Sequence, residues 1–105
     1  MRKLSLVFLG LFVSGCEQSV PPLDLKCVRG DQEITFRSDS ETNTIIGSDG
    51  TSTNFYEDNF MEVVFVNFDD WGKPTRVLNF YPTDPGVEII EDGVSQSWMC
   101  SYLDT

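Results

Sequence analysis

Alternation of apolar and polar side chains, broken every few residues by turn formers, most limits what this chain can become. Leu23, Leu25 and Cys27 share one face of their segment, and Ile34 and Phe36 share one face of residues 32–37, opposite Glu33, Thr35 and Arg37. A period of two belongs to half-buried strands, and no helical stripe of apolar residues follows Leu23. Short strands are expected over 43–47, 53–56, 75–81, 87–90 and 94–103. They are separated by Ser38-Asp39-Ser40-Glu41, Ser48-Asp49-Gly50, the 69–74 loop, the 82–86 turn and Glu91-Asp92-Gly93. The run from Met61 to Phe68 is the most apolar and is expected to be a central strand buried on both faces. About seven or eight short, evenly spaced strands predict an all-β domain, a small antiparallel barrel or sandwich.

Composition removes several function classes. The 105 residues hold 7 Lys and Arg against 17 Asp and Glu, a net charge of −10, and no histidine. Nucleic acid is a poor partner for such a chain, because phosphate contacts need clustered basic residues. Without histidine there is no Ser-His or Cys-His nucleophile and no His-ligated metal. The serines lie in no Gly-x-Ser-x-Gly motif. No cofactor motif is present, and the chain reads as a non-enzyme.

The N-terminus carries a different message. Met1-Arg2-Lys3 is basic, Leu4 to Val13 is a ten-residue apolar run, and Ser14-Gly15 are small. Ten residues of helix cover only about 15 Å, half the hydrocarbon thickness, so the run is too short for a stable membrane span. The order basic, apolar, small is that of a secretory signal peptide. Val13-Ser14-Gly15-Cys16 resembles the lipobox of bacterial lipoproteins. That resemblance implies a diacylglycerol on the Cys16 thiol, cleavage between Gly15 and Cys16, and further acylation of the new amino group. Residues 1–15 would then be the signal peptide, 16–22 the lipidated cysteine and a tether containing Pro21-Pro22, and 23–105 the β domain. Two or more acyl chains attach a protein to a membrane without spanning it. Glu17 stands where an Asp would favour inner-membrane retention, so the resemblance favours the outer membrane, facing the periplasm.

Loss of Arg2 and Lys3 leaves five basic residues against 17 acidic, a charge of −12. With Cys16 committed to lipid, Cys27 and Cys100 remain. Both lie in strand-like sequence that would sit in an oxidising compartment, without Cys-x-x-Cys spacing, and are expected to form a structural disulfide joining the first strand to the last.

The acidic residues read mostly as solvated turns. Asp39-x-Glu41-x-Asn43 starts like a calcium loop but has Thr44 and Gly50 where that loop needs Gly and Glu, so no metal site is assigned. The neighbouring carboxylates Asp69-Asp70 and Glu91-Asp92 lack the facing geometry that carboxylate catalysis requires. The candidate partner-binding loop is Asp69, Asp70 and Trp71. There an aromatic at a hairpin tip either folds back on the sheet or stands out as an anchor. Phe80, Tyr81 and Trp98 are expected in or beside the core.

A lipobox, about eight strands and cysteines near both domain ends (Cys16, Cys27 and Cys100) resemble the membrane-bound inhibitors of C-type lysozyme. Their Ser-Gly-x-x-Tyr loop has no counterpart of matching spacing: Ser48-Asp49-Gly50-Thr51-Ser52 lies in a comparable region with Tyr56 further on, so no inhibitory residue is carried over. The sequence leads to a membrane-anchored, non-enzymatic binding or accessory module whose partner is a basic protein or an envelope component. The competing expectation is an inhibitor of a basic secreted enzyme such as lysozyme, toward which a −12 domain would be steered electrostatically.

Overall fold

The computed structural model describes residues 19–83 and 85–103; the expected signal peptide and Cys16 lie outside the described residues. Eight strands follow in chain order: β1 (Asp24–Arg29), β2 (Gln32–Asp39), β3 (Thr44–Gly47), β4 (Ser52–Asp58), β5 (Val63–Phe68), β6 (Pro74–Tyr81), β7 (Gly86–Glu91) and β8 (Val94–Tyr102). Each pairs antiparallel with the next, and β8 returns to β1 to close a barrel. Of the two expected architectures, the barrel is the one formed. Closure gives every described strand a partner on both sides along the barrel wall.

Cys27 lies directly across from Cys100 at the β1–β8 seam, and the two form a disulfide. The expected pairing of first strand to last is therefore realised where the barrel closes. Eight strands enclose a space just wide enough for side chains to fill. Leu25, Cys27, Ile34, Phe36, Ile45, Phe65, Leu78, Phe80 and Val87 fill it. The rings of Phe36 and Phe65 meet Phe80 edge-on at 5.3 and 5.6 Å, the geometry aromatic quadrupoles favour.

Two expectations change. The 61–68 run is only partly covered on its second face: the strand starts at Val63, Met61 is exposed, Val64 is half-buried and Phe68 exposed, and Val66 alone is buried there. In a closed barrel the outer face of a strand has no second layer to cover it throughout. The chain is also packed before residue 23. Val20 and Leu23 belong to the core cluster and close one end of the barrel. Their amides are satisfied, Val20 N donating to Asn43 Oδ1 (2.8 Å) and Leu23 N to Ser38 Oγ (2.8 Å). Pro21 and Pro22 between them have no N–H to satisfy.

The up-and-down order divides the turns between two ends. At the entry end lie the incoming chain, the turns at 40–43 and 59–62, the connection from β6 to β7, and the end of β8. At the opposite end lie the turns at 30–31, 48–51, 69–73 and 92–93.

Candidate functional site

The end opposite the entering chain holds a cavity of about 430 Å³, lined by Glu33, Asp49, Arg76, Glu91, Gln96 and Trp98 among others. It exists because the inward register of β6 breaks its apolar pattern. Leu78 and Phe80 point into the core, and the next inward position toward this end is Arg76, only 8% exposed.

A buried guanidinium must be hydrogen-bonded and paired. Arg76 Nε donates to Thr53 Oγ1 (3.1 Å), Nη2 to Thr51 Oγ1 (3.2 Å) and Nη1 to Glu91 Oε1 (3.3 Å). Glu91 is its direct cross-strand neighbour on β7. The Thr51 hydroxyl donates in turn to Asp49 Oδ1 (2.6 Å), which also accepts from Thr51 N (3.0 Å). Burial pushes the Asp49 carboxyl upward, but the two Thr51 hydrogen bonds and the nearby Arg76 charge outweigh it and hold the group below the ordinary carboxylate range. Gly47 makes room for this network: a Cβ there would lie 2.7 Å from Asp49 Oδ1 and 3.0 Å from Thr51 Oγ1. Trp98 completes the wall, with its Nε1 buried and unpartnered among the described residues.

The loop singled out from sequence sits at the same end. Asp69 builds it: its Oδ1 accepts from Trp71 N and Lys73 N, both at 2.9 Å, and its carbonyl accepts from Gly72 N (3.1 Å). Gly72, at φ +80°, supplies the left-handed turn residue. Asp70 is exposed, and Trp71 stands out at 88% exposure rather than folding back. Asp69 thus shapes the loop, while Asp70 and Trp71 are displayed by it. Every turn at this end carries an aspartate: Asp31, Asp49, Asp69 with Asp70, and Asp92. The result is an acidic rim around a cavity floored by one neutralised arginine, beside one exposed indole.

The other candidates lie elsewhere. Asp39 caps its own turn, accepting from Glu41 N (2.9 Å). Glu91 is taken up by Arg76, and Asp92 is a left-handed turn residue at φ +54°. Tyr81 lies on the barrel's outer face with its hydroxyl on Glu88 (3.4 Å); burial, together with Glu88 and Glu62, raises its pKa. The Arg76 network is almost silent in the sequence. Its only signal is an arginine two residues before Leu78 in a period-two strand.

No family model matches this chain, and neither a curated protein nor a solved structure matches it.

Proposed function

We propose that this protein is a lipid-anchored, non-enzymatic binding module of the bacterial cell envelope, moored through Cys16, and that the cavity end of the barrel meets its partner. The supporting observation is topological. The packed chain begins at Val20, at the end opposite Trp71 and the cavity. Three residues lie between Cys16 and Val20, and these four steps of chain span at most about 14 Å. A domain held that closely by its N-terminus presents its far end to the periplasm. The partner is a basic protein or an envelope component, in keeping with the aspartates in each turn there.

The test places a photoreactive side chain at Trp71 or, as a control, at Ser97 on the barrel wall, in the full chain expressed in a Gram-negative host. A partner cross-linked from position 71 alone supports the reading. Equal labelling from both positions, or none from 71, refutes it.

The −12 charge of the processed chain favours a second reading, an inhibitor of a cationic secreted enzyme. Lysozyme turnover with excess protein decides it. Inhibition weakening steeply with salt supports it, and an unchanged rate refutes it.

A further inference from the structure

The hairpin tip between β4 and β5 is spent on nothing in the site just described. It lies at the entry end of the barrel, where the chain emerges from residues 1–18. The hairpin also projects. The last β3–β4 pair is Thr44 with Asn54, whereas β4 and β5 continue their own pairing to Asp58 with Val63. At its tip Phe60 is 94% exposed and Met61 79%.

Phe60 is also held in an uncommon conformation, at φ +73°. A bulky side chain in the left-handed region is strained, and such strain persists only where the surroundings impose it. Here they do. Phe60 N donates to Asp58 Oδ1 (3.2 Å), Glu62 N to Asn59 Oδ1 (2.9 Å), and Asn59 N to the Glu62 carbonyl (3.1 Å). The turn is pinned from both sides, and its largest apolar side chain is turned outward. Two other side chains at this end have the amphipathic or apolar character of a membrane interface. Tyr102 is 49% exposed with its hydroxyl on the Pro82 carbonyl (2.8 Å), and Leu103 is 38% exposed.

We infer that Phe60 and Met61 form a second, shallow contact with the bilayer, a wedge that dips below the headgroups while the acyl chains of Cys16 hold the protein there. This inference rests on the anchored reading above. Its chemistry sets the kind of surface. The turns at 40–43 and 59–62 carry Glu41 and Glu62 and no Lys or Arg, and the nearby Arg37 is paired with Asp24 (3.7 Å). Anionic headgroups are therefore repelled, and the contact is with a zwitterionic interface. The uncharged tip enters, and the flanking carboxylates stop it at headgroup level. Two attachment points narrow the tilt of the barrel further than the short tether does alone.

The test uses the full chain purified from membranes and reconstituted in phosphatidylcholine vesicles with brominated acyl chains, which quench nearby indoles. The tip is so exposed that Phe60→Trp and Met61→Trp leave the fold intact. Their added fluorescence is expected to fall by about a third or more, as for a ring about 5–10 Å into the headgroup boundary. The unaltered protein, with Trp71 and Trp98 alone, serves as the control and is expected to change little. Phosphatidylglycerol in place of phosphatidylcholine is expected to reduce the quenching. Protein that floats with the vesicles but shows no added quenching at either position overturns the wedge and leaves the anchor standing. Protein that does not float overturns both. A concentration-dependent blue shift of the tip indole without vesicles assigns the tip to a second copy of the chain and overturns the lipid contact.

Discussion

Replacing Arg76 with methionine tests whether the polar network at the cavity end holds the barrel or merely decorates it. Met keeps the unbranched apolar stem and removes the guanidinium. The Nε bond to Thr53 is the largest loss. Thr53 is 1% exposed, so its hydroxyl is left buried without that partner, at a cost of about 1–3 kcal/mol. The bond to Thr51 adds about 1 kcal/mol. The Glu91 carboxylate is 52% exposed, and solvent screening limits that ion pair to about 1 kcal/mol or less. Together the loss is about 3 kcal/mol, a large part of the roughly 5–10 kcal/mol that holds a domain of this size. Urea denaturation of the oxidised protein at pH 7, followed by circular dichroism, is expected to show the midpoint falling by about 2 M. Adding Thr53→Val removes the stranded hydroxyl and is expected to recover about 1 kcal/mol or more. A single-variant loss below about 1 kcal/mol, or no recovery in the double variant, would refute the claim that buried hydrogen bonding holds this end together.

Three further outcomes follow from the same geometry. Asp49 binds its proton less readily folded than unfolded, so its contribution is present above its ordinary value of 3.8 and fades as the pH falls below it; titrating urea stability from pH 5 to pH 2 is expected to show a shallower fall in Arg76→Met, which removes one cause of the depression. Gly47→Ala drives a methyl against Asp49 Oδ1 and Thr51 Oγ1, so a loss of about 1–3 kcal/mol is expected in thermal unfolding, and an unchanged melting temperature contradicts the packing described. Reducing Cys27–Cys100 opens a loop whose ends are 73 residues apart, with an expected loss of up to about 4.5 kcal/mol at equilibrium, and an unaltered urea midpoint in dithiothreitol contradicts the cross-link's role.

Most of the barrel is legible in the sequence because its signal is local. Period-two alternation through Leu25–Cys27 and Ile34–Phe36 assigns side chains to inside and outside, and Asp, Gly and Pro clusters mark the turns between strands. Closure is a long-range property, yet the two cysteines betray it by tying the first strand to the last. The 61–68 run misleads because hydrophobic content alone does not distinguish a strand covered on both faces from one whose outer face buries Val66 but leaves Val64 half-covered and Phe68 exposed. Pro21-Pro22 signals a tether, but Val20 and Leu23 on either side find apolar space at the barrel end, and that is a tertiary matter. Arg76 is hardest to see. A lone arginine in a strand reads as solvent-facing until the register places it beside Leu78 and Phe80, with Thr53 and Glu91 on neighbouring strands ready to meet it.

The proposed mooring of a cross-linked barrel by a lipid on Cys16 is read out by the intact mass of the membrane-extracted protein before and after reduction. The predicted result is a chain beginning at Cys16, heavier than its sequence by a diacylglycerol and an acyl group, that gains two hydrogens on reduction. A chain still beginning at Met1, an unmodified Cys16, or a mass unchanged by reductant would contradict it.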